Sequence, residues 1–431
     1  MIKKLVIAKP EAVILVETVE DIKKAFEIAK KTKIPLIPRA GATSGHGGTL
    51  VYKKGIIVDL TKLNRIIDIE LMDQSVTVEP AVTFHDLEKA LTMQSLALCS
   101  YPSSIYSGTI GGWIAQGGEG IGSLKYGSII DLLLGLEVVL PDGSVKYYTE
   151  KEDFEMFVGA QGTTGIITKV KLKFRFDIPL KHIAFTFDNF SDMLKGLSRC
   201  REVEPFSVWF LNKHKVDYLN KTLGYILPSR HLVIVSKEIS YDEEEKEFRE
   251  KIYKIVREEK GQLISDYYIQ GIWKARFKIF SILKEMENYI LGEVSIPLDY
   301  GAEYIESLPK KIDKKILIEG TMVSFSTVSI ILNLVLKTDQ SKIKQYKKFL
   351  QVYKWILKAI KIGGFPSATG LWFGGYYHTI YGKEREEKLL KFKKEVDKNN
   401  ICNPDKVWSP KVKQLPLISL KTAIKIIGGL F

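Results

Sequence analysis

The chain has 431 residues, 45% hydrophobic and 27% charged, a globular composition long enough for two domains and with no shortage of core. No charged-then-apolar segment opens it and no unbroken apolar run reaches about 18 residues, so a cytoplasmic protein is expected. Its net charge of +13 comes with no nucleic-acid-binding motif, so no nucleic-acid partner is expected; an acidic protein, an anionic substrate, an anionic membrane face and plain lysine-rich helix faces all stay open.

In chain order, Val13–Val16 reads as a strand, and Thr18 with Asp21 forms a capping box for a helix whose Ile22, Ala25, Phe26 and Ala29 share one face. Pro35 and Pro38 bracket an extended piece that runs into the first glycine-rich stretch, Pro38–Gly48 (PRAGATSGHGG). Ile56–Asp59 and Val76–Glu79 read as strands and Phe84–Met93 as a helix, before the second glycine-rich stretch, Gly108–Gly127. Leu136–Leu140 and Val145–Tyr148 form a hairpin across Pro141-Asp142-Gly143; a third glycine loop, Gly159–Gly165, leads into the alternating segment Ile166–Phe176. Composition changes after Pro179. Strand-like runs (Leu232–Ser236, Met322–Leu334) then mix with helical ones (Tyr241–Lys260, Trp273–Leu291). A long helix carries an apolar stripe from Ile343 through Tyr346, Phe349, Leu350, Tyr353, Ile356 and Leu357 to Ile360, a core-packing pattern. Beyond Pro416, Leu417, Leu420, Ile424 and Ile427 fall on one helical face with Lys421 and Lys425 beside it; a membrane surface, a partner's groove or the chain's own domain could take that face. The three cysteines, Cys99, Cys200 and Cys402, are far apart in sequence and make neither a disulfide framework nor a CxxC metal cluster.

The glycine loops are the chemical signal. Glycine lets the backbone turn tightly and keeps side chains away from its N–H groups, and successive free N–H groups make a concave nest for an anion such as a pyrophosphate. Three such loops suggest one extended, phosphate-bearing ligand held at several points. No GxGxxG with a following acidic residue and no GxxxxGK[ST] is present, which removes the dinucleotide Rossmann unit and the P-loop.

What remains resembles the PCMH-type FAD-binding module of the vanillyl-alcohol oxidase superfamily, the FAD-linked oxidases. The first stretch matches PxRGxGTxxxGG through Arg39, Gly41, Thr43, Gly47 and Gly48. The second follows the longer signature through Pro102-Ser103, Thr109-Ile110-Gly111-Gly112, Gly120, Ser123-Leu124-Lys125-Tyr126-Gly127, Asp131 and Leu136–Gly143. The third matches GxxGTxGIIT through Gly159, Gly162, Thr163, Gly165, Ile166, Ile167 and Thr168, and Asn403-Pro404-Asp405-Lys406-Val407 stands for the closing NPGKV. The resemblance implies an α+β fold: a two-part FAD-binding domain over 1–178, a cap or substrate domain with an antiparallel sheet and helices over 179–395, and a return to the first domain over 396–431, ending in the basic amphipathic tail.

It also implies contacts. The pyrophosphate falls to the backbone of the first loop (Ala40, Gly41, Ala42, Gly45, His46, Gly47), with the Thr43 and Ser44 hydroxyls as extra donors. Arg39 is either a charge near the phosphates or an anchor of the loop. Pro102, Ser103, Thr109, Gly111, Gly112, Gln116, Gly117 and Gly118, with Ser123 and Tyr126, are expected along the ribityl chain and ring. Gly162, Gly165 and Ile167 are expected at the adenine or ring edge, and Asn403 near the ring. Relatives that bind the ring covalently use RxGGH, with histidine where this chain has Thr43; His46 lies three residues later. Bicovalent relatives carry a cysteine before the proline of the second loop, where Tyr101 stands and Cys99 is displaced by two. Non-covalent FAD is therefore expected.

Gly271-Ile272-Trp273-Lys274-Ala275-Arg276, followed by Ile296-Pro297, resembles the LWxxR…(V/I)P pattern of the glycolate and D-lactate dehydrogenase branch, which implies oxidation of a small 2-hydroxy acid. Arg276 is then a candidate to grip the substrate carboxylate, with a surface arginine as the plain alternative. The branch's other marks are missing. Leu298 stands for its arginine after VP, Glu319–Thr327 (EGTMVSFST) for its HxGDGNxH metal motif, and Gly363–Gly370 for its GEHG, so no metal is expected. His378 is the remaining candidate base by sequence. A quinone or an iron–sulfur protein is the expected electron acceptor, with a peripheral contact at the inner membrane face through the tail. The alternative is a flavin-carrying electron-transfer subunit of a larger redox complex with a degenerate pocket.

Overall fold

The structure is a computed structural model that describes residues 8–52, 54–278, 288–308, 316–336 and 341–408; the amphipathic tail lies outside the described residues. Three sheets organise the chain. The first is parallel and three-stranded, order β1-β3-β2, from β1 (Ala12–Leu15), β2 (Leu36–Arg39) and β3 (Ile56–Asp59). The helix Val19–Thr32 covers it. The Thr18–Asp21 capping box is present, and Ile22, Ala25, Phe26 and Ala29 are buried, because their spacing puts all four on the face turned to the sheet.

The second sheet takes β4 (Ile66–Glu70), β5 (Ser75–Val78), β7 (Leu133–Val139), β8 (Val145–Tyr148) and β9 (Ile166–Phe176) in the order β4-β5-β9-β7-β8, with β6 (Leu96–Leu98) also pairing with β9. It is antiparallel throughout. The expected hairpin over Pro141-Asp142-Gly143 forms here, its turn closed by Ser144 bonding to the Asp142 carboxylate at 2.8 Å.

The third sheet is antiparallel and eight-stranded: β13-β10-β12-β11-β15-β16-β14-β17, from β10 (Leu180–Phe187), β11 (Ser207–Leu211), β12 (His231–Glu238), β13 (Gln262–Leu263), β14 (Asn288–Pro297), β15 (Ile316–Met322), β16 (Thr327–Leu336) and β17 (Phe365–Pro366). Alternation divides its faces. Phe210, Val233, Val235, Ile318, Ile330 and Leu332 enter a core shared with the helices Phe190–Arg199, Asp242–Glu258 and Lys342–Lys361. Trp209, Leu211, Ile234 and Leu317 face the other way, under the helices Lys213–Leu223 and Asp266–Ala275. This is the mixed helix-and-sheet, two-part architecture expected.

Three details differ from expectation. Of the helix expected over Trp273–Leu291, the first residues end the helix Asp266–Ala275, residues 279–287 lie outside the described residues, and Leu291 sits in β14. The run Met322–Leu334 is not one strand but the turn and second arm of the β15–β16 hairpin, because Ser324 and Ser326 close a turn inside it. The return toward the first two sheets begins before 396. Tyr377 and Leu389 pack with Ala160 and Val407, Arg385 donates to the Val158 carbonyl at 2.8 Å, and Lys393 donates to the Thr163 carbonyl at 2.7 Å. Apolar residues on the helix Lys383–Val396 have to be buried, and the surface next to Phe157 is what buries Phe392. The chain then lies beside β2, with a parallel bridge between Leu36 and Cys402.

Candidate active site

A cavity of about 1090 Å³ opens between the glycine loops and the third sheet. One wall comes from the first loop: Arg39, Ala40, Gly41, Ala42, Thr43, Ser44 and Gly45 line it. No acceptor among the described residues takes the backbone N–H groups of Gly41 through Gly45. Ala42 holds a left-handed φ of 51°, a conformation that costs a non-glycine residue about 1 kcal/mol and so has to be imposed by its surroundings. Glycine at 41 is required by packing as well: a Cβ there would stand 2.3 Å from the Ser107 carbonyl oxygen of the second loop.

The second loop supplies Pro102, Ser103, Thr109, Gly111, Gly112, Gln116, Gly117 and Gly118 to the same wall, and the third supplies Gln161, Gly162, Gly165 and Ile167. Two buried polar atoms on this wall, Thr109 Oγ1 and Gln161 Nε2, have no hydrogen-bond partner among the described residues. Buried polar groups are rarely left unpaired. Free main-chain amides and unpaired side-chain donors on one wall fit a ligand rich in acceptor oxygens, as a dinucleotide such as FAD is.

Five residues expected at the ligand lie behind the wall instead. His46 is buried against Phe373, with Nδ1 3.2 Å from Ser44 Oγ, and burial pulls its pKa down to about 4. Gly47 turns the chain with a φ of 79° and carries its carbonyl toward Lys406 Nζ. Ser123 accepts from the Gly120 N–H at 2.9 Å and meets Ser100 at 2.7 Å, which holds the second loop in shape. Tyr126 bonds Glu238 at 2.8 Å. Asn403 donates to the carbonyls of Gln161 (2.6 Å) and Gly48 (3.0 Å) and so ties the third loop to the first. The side-chain hydrogen bonds here go to Ser44, Ser100, Glu238 and main-chain groups, while Asn403 Oδ1 is buried with no partner among the described residues. His378 is also elsewhere: half-exposed, it faces Glu386 at 3.5 Å on the outer helices and is not on the cavity wall. It is withdrawn as a base on this geometry.

The opposite wall belongs to the third sheet. Arg276 is fully buried, with its guanidinium over the rings of Trp209 (4.9 Å) and Trp273 (5.4 Å) and with Nη2 2.6 Å from Thr321 Oγ1. Its Nε has no partner among the described residues. Burial pulls it down to about 10, partly offset by Glu319, so it stays charged at neutral pH. Glu319, also on the wall, pairs through one oxygen with the fully buried Lys215 at 3.0 Å, while its Oε1 has no partner among the described residues. Glu293 completes the wall, and burial, with Glu319 and Glu119 adding to it, pushes its carboxyl up to about 7. Sequence reasoning missed Glu293, Glu319 and Lys215. A glutamate in the middle of an apolar strand run (Ile316–Met322, Leu291–Pro297) was the available signal for the first two. Nothing marked Lys215.

The model of the FAD-binding domain matches residues 10–147, and that of the C-terminal domain of FAD-linked oxidases matches residues 181–407, more than half of the chain. The chain belongs to the FAD-linked oxidases. It is an FAD-dependent oxidoreductase by family. This FAD-linked oxidase is 24% identical over 436 residues to the glycolate oxidase subunit GlcD of Bacillus subtilis, covering 93% of this chain and 89% of the relative. It is also 24% identical to the mitochondrial D-lactate dehydrogenase [cytochrome] of Arabidopsis thaliana, covering 94% and 74%. Its fold is that of p-cresol methylhydroxylase with bound substrate, at a TM-score of 0.78 and 17% identity over 93% of this chain and 89% of the other. Among the described residues of the oxidase, no three His, Cys, Asp or Glu side chains stand together as metal ligands, and no helix is long and apolar enough to cross a membrane.

Proposed function

We propose that this FAD-linked oxidase oxidises a small 2-hydroxy acid of the D-lactate or glycolate kind, holds its FAD without a covalent bond, and passes the electrons to a quinone or a protein partner. The observation that carries the reading is Arg276. A guanidinium taken out of water needs a counter-charge, and the nearest carboxylate, Glu319, is already shared with Lys215. Glu319 is thus divided between Lys215 and Arg276, and the cavity wall presents a guanidinium whose Nε has no partner among the described residues. A substrate carboxylate is the group that balances it, since the guanidinium fork binds a carboxylate through two parallel hydrogen bonds. The likeness to a glycolate oxidase subunit and a D-lactate dehydrogenase over more than nine-tenths of the chain supports the same substrate class.

In this reading the amides of Gly41–Gly45 receive the pyrophosphate, Thr109 and Gln161 use their unpaired atoms on the cofactor, and the bound flavin supplies the acceptor for a hydride. Arg276 and its two tryptophans fix the acid end of the substrate. A cavity wall without histidine or cysteine among the described residues supports non-covalent attachment. The test is anaerobic titration of the purified yellow protein with D-lactate, L-lactate, glycolate and larger 2-hydroxy acids. Bleaching by one of them is expected, and indifference to the whole panel would favour a flavin-carrying electron-transfer subunit. Acid denaturation is expected to release the flavin, and flavin that stays with the polypeptide would overturn the non-covalent reading.

A further inference from the structure

The cap side of the cavity has a row structure that the strand register makes explicit. Glu319, Ile331 and Glu293 stand side by side across β15, β16 and β14. The next row on the same face is Trp209, Thr321, Ser329 and Ser295. Arg276 sits over Trp209 and Thr321, in the second row. From Thr321 to Glu293 is two strand spacings across and two residues along, about 12 Å between Cα atoms. An arginine and a glutamate reaching toward each other over that span leave room for a small molecule.

We propose that the Glu293 carboxylate takes the hydroxyl proton of the bound substrate, an inference that rests on the 2-hydroxy-acid reading above. Geometry singles it out among the acids of the cavity. Glu319 is held by Lys215 and lies beside Arg276, where the acid end of the substrate belongs. Glu119 belongs to the second glycine loop, on the cofactor side. Glu293 lies on the cap wall, keeps part of its surface open to the cavity, and its carboxylate is engaged by no hydrogen bond or ion pair among the described residues.

The step balances as follows. The O–H bond breaks and its proton goes to a Glu293 oxygen. The O–H electron pair closes the carbonyl of the 2-oxo acid, while the C–H pair leaves with its hydrogen as hydride to the oxidised flavin. The proton on Glu293 then passes to solvent through the cavity. The titratable groups that face Glu293 are the carboxyls of Glu319 on β15 and of Glu119 on the second glycine loop, the latter itself pushed up to about 7 by burial, and they add to burial in keeping the Glu293 carboxyl basic, near neutrality. A general base is most effective when its pKa lies near the working pH.

The experiment compares the flavin-loaded wild type with Glu293→Gln, which keeps size and removes the proton acceptor. In anaerobic single-turnover measurements the wild-type rate of flavin bleaching should rise with pH through one ionisation near neutrality. In the variant it should fall by about 100-fold or more and lose that ionisation, while binding of the 2-oxo acid product changes by less than about threefold. A second readout does not depend on turnover. Infrared difference spectra of the oxidised wild type should show a protonated carboxyl that titrates near neutrality and is missing from Glu293→Gln. A variant with the wild-type rate and pH profile overturns the proposal, and so does a Glu293 carboxyl that ionises in the ordinary acidic range. If no 2-hydroxy acid bleaches the wild type, the substrate reading falls on its own, and the infrared titration still decides whether Glu293 is the basic group of the cavity.

Discussion

The two walls of the cavity put polar groups into it by different means. On the side of residues 38–49 and 102–120 they are largely main-chain amides, with Gly41–Gly45 donating to no acceptor among the described residues. On the side of β11, β14 and β15 they are side-chain charges, Glu293 and Glu319 on the sheet and Arg276 reaching over it from the end of the helix Asp266–Ala275. A ligand shared with many relatives can be held by amides, which every residue carries, whereas a substrate has to be chosen by side chains. On the function proposed above, the first wall binds the cofactor and the second selects the substrate, and substitutions on each should separate the two properties.

The largest effect is expected on the amide wall. In Gly41→Val the Cβ, 2.3 Å from the Ser107 carbonyl oxygen, forces the first and second loops apart. The cost is about 3 kcal/mol, so FAD affinity should drop by about 100-fold or more and the protein should purify nearly colourless. A yellow variant with full flavin content would break the assignment of this wall. Next comes Arg276→Lys on the side-chain wall. It keeps the charge but loses the fork and its stacking on Trp209 and Trp273. Flavin content should stay near that of the wild type, while the dissociation constant of the 2-oxo acid product rises by about 30-fold, roughly 2 kcal/mol. Equal loss of flavin and of product binding would mean that the walls do not divide the work.

The same contrast explains what could be read in the sequence. A loop that exposes amides, or that another backbone approaches closely, restricts which residues can occupy it, so Gly41, Gly111 and Gly162 leave a fixed spacing in the chain. Strands and the helix Val19–Thr32 were legible because burial of one face imposes a period. The charged wall imposes no pattern. Glu293 and Glu319 occupy positions that alternation would give to valine, and only the pairing of β14, β15 and β16 brings them into one row. Arg276 was legible through its neighbours Trp273 and Ala275, but its burial was not. Ser123, Tyr126 and Asn403 were placed at the ligand because they sit in the same motifs as the wall residues. Their hydrogen bonds show that part of those motifs serves to hold the loops together.

His46 gives a pH test of the boundary between wall and support. Its folded-state pKa of about 4 lies below the ordinary 6.5, so between those values the folded chain binds fewer protons than the unfolded one. Stability should therefore fall as pH drops below 6.5, by about 2 kcal/mol at pH 5 from this residue. His182 and His231, also pulled down to about 4 by burial, add to the slope. Denaturant titrations of apoprotein at pH 7 and pH 5 should show a smaller loss for His46→Gln than for the wild type. An unchanged slope would mean that His46 meets water, or the cofactor, in solution.

The smallest effect is expected at His378. Its ring is partly exposed and faces Glu386 on the outer helices, away from the cavity wall. Exposed pairs of this kind contribute at most about 1 kcal/mol to stability. His378→Gln should bleach with a 2-hydroxy acid within about twofold of the wild-type rate, and with the same pH profile. The measurement gains its meaning beside Glu293→Gln. A histidine is the residue type that sequence reasoning turns to for a base near neutrality, and a glutamate inside a strand is not. If His378→Gln slows bleaching and Glu293→Gln does not, then the outer helices must close over the cavity when substrate binds, and the charged wall would serve for binding alone.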